Sequence, residues 1–355
     1  MMGILSNFMH RLSFNASVRM RTWKKLAAQT RHGLNLDQSL RQMQHRASLR
    51  RSHTAKVYSQ ILEYLGLGHN LGACLTGYAT PEEVMLISSG QRSGKLSEGL
   101  ELAASLLTAR QSILRAVTSA LAYPAFLSAM IVVLLLVVSI VVMPKFAMLS
   151  DPSSWHGAAA ILYKTTSFVT SPMGVVALLV LLGALAASLL TLPVWTGRFR
   201  LLMENLPPWS IYRLTVGCVW LFTVSTLMRS GMQLTHILEN MLNSDHIPAY
   251  LRERILAIAL ETGTGKNFGE ALHDCGMEFP DSEMVDDLRV YASLPGFHLR
   301  MHELAAEWMN DGVELVKQQA RVLNIAAIIA LTGLVSLIAA AIGSMQSQLL
   351  PSGGF

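Results

Sequence analysis

Two kinds of hydrophobic pattern share this chain. Long stretches carry apolar residues at three- and four-residue spacing, which predicts amphipathic helices. Between and after them lie three stretches without a single Asp, Glu, Lys or Arg. The first covers 116–144, with 125–143 its most apolar part. The second covers 165–197, centred on 173–192. The third runs from 322 to the C-terminus, centred on 325–344. A helix needs roughly 20 apolar residues to cross about 30 Å of hydrocarbon, and each core supplies that length. Inside lipid the backbone must satisfy its own hydrogen bonds, so these segments are predicted as transmembrane helices. Burial in a protein core is the competing account, strongest for the Ala-rich third stretch. A fourth uncharged stretch, 214–228, is bounded by Arg213 and Arg229 and is short for a span. It reads as a buried or interfacial helix.

The amphipathic stretches contain one pattern twice. Gly33-Leu34-Asn35-Leu36-Asp37-Gln38-Ser39-Leu40 matches Gly231-Met232-Gln233-Leu234-Thr235-His236-Ile237-Leu238 in the order Gly, apolar, amide, Leu, two polar-type residues, with a closing Leu. Each follows a helical stretch containing a tryptophan, Trp23 or Trp220. A Gly that ends one helix, with polar residues that start the next, predicts a helical hairpin. Some 50 to 60 residues later each copy has a second hairpin. In the first copy Thr80-Pro81-Glu82-Glu83 is a capping box with Pro at the first helical position, and the helix ends near Ser93-Gly94. In the second copy Pro280 precedes a helix that ends near Leu294-Pro295-Gly296. A long helix then follows in each, with Leu96, Leu100, Ala103, Leu107 and Leu114 on one face, and Met301, Ala305, Trp308 and Leu315 on the other copy's. Each long helix is expected to run straight into a span.

Composition agrees with a membrane protein. Hydrophobic residues make up 52% of the 355, charged residues 14%, and mean hydropathy is +0.40; soluble domains carry about a quarter charged residues. Basic residues set the orientation. Residues 1–124 hold 15 Lys and Arg, 193–321 hold 11, and 145–172 hold two. The positive-inside rule places both large segments in the cytoplasm and the short loop outside. Residues 1–20 lack the apolar core of a cleaved signal, so the first span is expected to act as the insertion signal. Cys74, Cys218 and Cys275 fall on the expected cytoplasmic side, where thiols stay reduced.

The fold class is therefore an all-α membrane protein with two homologous cytoplasmic helical bundles plus three transmembrane helices. The expected division is a first bundle with a basic N-terminal tail (1–118), span 1 (119–144), a periplasmic loop (145–172), span 2 (173–192), the second bundle (193–321), span 3 (322–345) and a periplasmic tail (346–355).

Two motifs in the first copy resemble a known family. The run from Ile87 to Leu100, ISSGQRSGKLSEGL, looks like a Gly-Glu-x-Ser-Gly-x-Leu segment. Ala120-Leu121-Ala122-Tyr123-Pro124 is similar to an Ala-Leu-x-Tyr-Pro approach to the first span. Both resemble the type II secretion F proteins, the inner-membrane platform proteins of type II secretion and type IV pilus machines. The positions carrying the resemblance are Gly33, Gly90, Ser93, Gly94, Leu96, Tyr123, Pro124, Gly231 and Gly296. The chain departs where Gln91 replaces the family's Glu, where Tyr291 to Gly296 keeps only the Gly, and where Asn324 to Ala326 replace a Glu-Pro pair. These departures suggest a divergent branch. The resemblance implies a homo-oligomer in the bilayer that links a cytoplasmic hexameric assembly ATPase to pilin or pseudopilin subunits and other inner-membrane assembly components.

Candidate chemistry is sparse. Gly263-Thr264-Gly265-Lys266-Asn267 lacks a P-loop's first Gly, since Leu260 stands there, and its Ser or Thr, since Asn267 does. It reads as a polar turn. His298 and His302 are four apart, but the H-E-x-x-H order is missing, and surface histidines are expected. Asp281, Glu283, Asp286 and Asp287 read as a solvated helix N-terminus. No catalytic, cofactor-binding or metal residues are assigned, and no cofactor is expected. The span cores hold no charged residue, which weighs against the alternative of a polytopic transporter or channel subunit.

Charge separates the two copies. Residues 1–124 carry 15 basic and 6 acidic residues; 193–321 carry 11 and 16. Arg41, Arg46, Arg50, Arg51 and Lys56 form a candidate partner-binding basic cluster, suited to anionic lipid or an acidic protein face. No nucleic-acid recognition element accompanies it.

Overall fold

The computed structural model describes residues 13–148, 151–244 and 247–349. Among these residues no strand forms; Thr76 and Ala79 make one isolated bridge. The first copy contains α1 (Ala16–Arg31), α2 (Leu36–Leu49), α3 (Thr54–Gly66), the single turn α4 (Leu71–Cys74), α5 (Pro81–Arg92) and α6 (Leu96–Val137). A π-helical turn (Val138–Val142) joins α6 to α7 (Met143–Ala147). Then come α8 (Ala158–Thr170), α9 (Pro172–Thr191) and α10 (Arg198–Met203). The second copy repeats the six-helix order as α11 (Trp209–Arg229), α12 (Leu234–Leu242), α13 (Ala249–Gly263), α14 (Phe268–Asp274), α15 (Ser282–Ala292) and α16 (Phe297–Leu349). The same hairpins recur: α2 packs on α3 and α4 on α5, as α12 packs on α13 and α14 on α15.

The chain divides into two compact units. Among the described residues, one comprises those up to Arg115, 195–205 and 212–313; the other 116–194, 206–211 and those from Glu314 on. The first unit holds both bundles. The tryptophans of the matching first helices, Trp23 and Trp220, are both buried in its core. Phe14 packs edge-on against Trp23 and Tyr58, and Trp220 lies against Phe268 and Phe279. Leu100, Ala103 and Leu107 of the expected stripe are buried, as are Met301, Ala305 and Trp308. Leu114 is not: it is 57% exposed, and Ile113 is buried in its place. Leu102 and Leu106 are buried as well, so the apolar face of α6 is broader than a single i, i+3, i+4 line.

Among the described residues, four helices are long and apolar enough to cross a membrane: Leu96–Ala147, Pro172–Thr191, Trp209–Arg229 and Arg300–Gln346. Their surroundings differ. The most apolar part of Trp209–Arg229 is 67% buried by protein, against 6% for Pro172–Thr191 and 6% for Arg300–Gln346. A helix covered by its own fold has no need of lipid, whereas Leu179, Val180 and Leu181 present bare apolar surface. This agrees with reading 214–228 as a buried helix. The long final helix of each copy continues unbroken into an apolar stretch, as its pattern predicts.

The second unit has its own small core. Val138, Met143, Trp155, Ala159, Leu162, Ala341 and Met345 are buried together, and Trp155 meets Tyr163 edge-on. Within the segment 145–172, residues 158–170 form helix α8. The π turn precedes Pro144. Proline offers no N–H to the carbonyl four residues back, and its ring crowds that carbonyl, so the preceding turn widens.

Candidate functional site: a basic cleft in the first bundle

The repeated glycines do the same work in each copy. Gly33, Gly94, Gly231 and Gly296 have φ of +81°, +72°, +87° and +77°. A side chain is strained in this left-handed region, so glycine closes the turn. Ser93 caps α5, donating to the carbonyls of Ser89 and Gly90, and Leu96 opens α6. Gly90 has another role. A Cβ there would lie 2.8 Å from Gly99 Cα, and one on Gly99 would lie 2.7 Å from the Leu86 carbonyl oxygen. The pair lets α5 and α6 touch backbone to backbone. Gly90→Ala is expected to cost about 2 kcal/mol through overpacking. Gly66→Ala meets open space in a helix and should stabilise by about 0.5 kcal/mol. Thiol labelling of Cys74, which is buried on α4 beside α5, reads both changes as shifts in protection.

Gln91, at the position of the family motif's Glu, accepts a hydrogen bond from Leu71 N–H at 2.8 Å. It ties α5 to the start of α4. Tyr123 is half exposed, and Pro124 sits within the continuous helix α6.

The structure redraws the basic cluster. Arg41 is spent on Asp37, one turn away, at 2.6 Å, and this bond raises its pKa. Arg51 occupies the turn after α2 with φ +50°, and Lys56 is exposed on the first turn of α3. Arg46 and Arg50 instead line a cleft of about 460 Å³, whose other wall carries Arg21 and Lys25 from α1. Sequence grouping by proximity along the chain missed these two. The available signal was spacing: Arg21 and Lys25, like Arg46 and Arg50, are four apart. Between them lie the hydroxyl pairs Thr22–Tyr58 and Ser52–Thr54, each at 2.8 Å.

The remaining candidates resolve simply. Lys266 bonds Glu261 at 2.6 Å and Asp274 at 2.8 Å, and these partners hold its pKa well above the usual lysine value. Asn267 caps α14 in a capping box with Glu270, so this segment is a polar turn. Asp281 caps α15 and pairs with Arg213. Among the described residues no group of His, Cys, Asp and Glu has the makings of a metal site. The side chain of His298 lies outside the described residues. His302 is not the surface histidine expected: it is half-buried, with its ring 5.1 Å from Phe222 and Nδ1 3.4 Å from Thr226 Oγ1. Burial, with Arg229 nearby, lowers its pKa. The stripe of α16 is wide enough to take it in beside Met301.

A duplicated six-helix unit whose last helix continues as an apolar one defines a class of multi-pass membrane protein, and comparison with known families gives that class its name. The family model described as type II secretion system (T2SS), protein F matches residues 24–144 and 220–345, one match per copy. The chain belongs to this family and is an inner-membrane, multi-pass protein of the secretion and pilus machinery. Among curated proteins it is similar to toxin coregulated pilus biosynthesis protein E of Vibrio cholerae serotype O1 (strain ATCC 39315 / El Tor Inaba N16961). The two are 24% identical over 245 residues, 67% of this chain and 69% of that protein.

Proposed function

We propose that this chain is a non-enzymatic platform of a pilus or type II secretion assembly machine, coupling a cytoplasmic hexameric ATPase to the extraction and polymerisation of pilin subunits. The observation that carries the reading is the doubled bundle whose final helices, α6 and α16, each pass without a break into an apolar stretch. A helix shared between a soluble bundle and a span is a covalent route by which motion of the bundle would reach the bilayer. The similarity to a pilus biosynthesis protein favours a pilus system. In this reading the N-terminus and both bundles are cytoplasmic, α8 and the C-terminus are periplasmic, and 119–144, 173–192 and 322–345 are the spans. Copies assemble as a homo-oligomer beside other inner-membrane components.

The charge difference gives the copies different partners: the basic first bundle an acidic protein face or anionic lipid, the acidic second bundle a basic partner. Complementary fields would orient that assembly. Photo-crosslinkers placed at exposed Arg41 and Glu283 in cells, followed by mass spectrometry, test the platform reading. Capture of an assembly ATPase through either bundle supports it. Solute flux through purified protein in liposomes, with no ATPase or pilin captured, would overturn it in favour of a channel or transporter.

A further inference from the structure

The cleft of the first bundle holds an electrostatic arrangement that the fold does not require. Arg21 and Lys25 stand four apart on α1; Arg46 stands in the last turn of α2 and Arg50 caps its C-terminus. Like charges at this spacing within a helix, as Arg21 and Lys25 are, destabilise it, and here both pairs of cations face one space. No Asp or Glu lines the cleft. Among the described residues none of the four cations makes an ion pair; Arg21 Nε donates to the Ser17 carbonyl at 3.3 Å. Burial, followed by repulsion from Arg46, already lowers the pKa of Lys25.

The second copy supplies an internal control. Counting from Trp220 as from Trp23, Arg21 corresponds to Cys218 and Lys25 to Phe222. α12 is shorter than α2 and ends at Leu242, so the second copy has no helical turn matching the one that carries Arg46. The second copy thus folds without a cation at the α11 positions and without that turn. The cost of the four cations in the first copy calls for something that offsets it.

The donor set says what that is. Three guanidinium forks, one ammonium and the hydroxyls of Ser52, Thr54 and Tyr58 offer many N–H and O–H groups around a space of about 460 Å³. A carboxylate presents two oxygens and a single charge. A phosphate presents three acceptor oxygens with up to two charges, and guanidinium forks grip it in bidentate fashion. We propose that the cleft bounded by Arg21, Lys25, Arg46 and Arg50 binds a phosphate group, either of a soluble phosphate compound or of a lipid head group.

The proposal stands apart from the platform reading, since it is measured on the full chain alone, without ATPase or pilin. The protein is reconstituted in nanodiscs of phosphatidylcholine only. Binding of two soluble probes, pyrophosphate and short-chain dihexanoyl phosphatidic acid, is followed by calorimetry. Arg46→Gln/Arg50→Gln and, on the opposite wall, Arg21→Gln/Lys25→Gln are each expected to weaken binding about tenfold or more, and added salt should weaken it further. Arg41→Gln, outside the cleft and paired with Asp37, should leave binding unchanged. Unaltered Cys74 protection shows that the variants fold. Pyrophosphate binding at least as tight as the lipid probe's assigns the site to a soluble phosphate, and a clear preference for phosphatidic acid assigns it to a head group. The proposal is overturned if neither probe binds at millimolar concentration, or if the cleft variants bind no more weakly than Arg41→Gln.

Discussion

Replacing Glu83 with alanine should loosen the first bundle more than any other single change in it. The Glu83 carboxylate is completely buried. It accepts from Trp23 Nε1 at 2.7 Å, from Arg19 Nε at 3.1 and 3.2 Å, and from Thr80 N–H at 3.2 Å. One side chain thus joins α1 to α5 and closes the capping box of α5. Without it, the mostly buried guanidinium of Arg19 keeps only the Phe14 carbonyl as acceptor, and the buried indole N–H of Trp23 loses its own. Removing one partner of a buried pair costs about 3–5 kcal/mol. At about 1.4 kcal/mol per decade, Cys74 should then react with a thiol reagent roughly 100-fold faster or more. Glu83→Gln keeps one acceptor oxygen and should fall between wild type and alanine. The second copy shows the apolar solution. Val216 stands where Arg19 does, counting from the tryptophans, and Trp220 packs among phenylalanines. Adding Arg19→Val to Glu83→Ala should therefore recover part of the loss. Labelling of Glu83→Ala within about threefold of wild type would show that the network contributes little.

The architecture was legible in the sequence because it rests on local signals. Glycines that must adopt positive φ, a proline at the first position of α5 and uncharged stretches of spanning length each act within a few residues. Their repetition exposed the doubled bundle. The short stretch 214–228 was set apart from the three longer uncharged stretches by its length and flanking arginines, and burial of α11 agrees. The contents of the basic cleft were harder to see. Arg46 and Arg50 were apparent as a run of charge, but their partners Arg21 and Lys25 come from another helix, and only tertiary packing brings the pairs together. Arg41 belonged to the same run and was spent on Asp37, a pairing that the i, i+4 spacing did allow. His302 escaped for a similar reason. Its position beside the stripe of α16 admits either a wet or a covered side chain, and Phe222 of α11 decides between them. Nothing local announced Glu83 as a buried carboxylate either; in sequence it is one of two acids in a capping box, and only Trp23 and Arg19, some 60 residues away, separate it from Glu82.

In the second bundle two neighbouring substitutions should act in opposite directions. Glu204 is buried, with Oε1 2.7 Å from Arg254 and Oε2 3.9 Å from Arg213; Arg213 also reaches Asp281 at 3.7 Å. Arg200 completes the group. Its guanidinium lies 4.8 Å from the Tyr250 ring centroid, and that of Arg254 lies 5.0 Å from the same ring. Glu204→Ala leaves three guanidiniums gathered around Tyr250 and Asp281. Arg200 and Arg254 are almost wholly buried, so the cost should be about 3–5 kcal/mol. Labelling of Cys218, buried on α11 in the same bundle, should accelerate roughly 100-fold or more. Arg200 is the contrasting case. It is fully buried, and none of its three nitrogens has a hydrogen-bond partner among the described residues. Burial lowers its pKa, while Tyr250 and Glu204 oppose that shift. Arg200→Leu gives up a cation–π contact of about 1–2 kcal/mol but removes an uncompensated buried charge and its repulsion from Arg254. The net effect should be neutral or stabilising by about 1 kcal/mol, leaving Cys218 at least as well protected as in the wild type. A large loss on Arg200→Leu, comparable with that of Glu204→Ala, would mean that Arg200 is a stabilising member of the network and that the charge balance of the cluster has been misread.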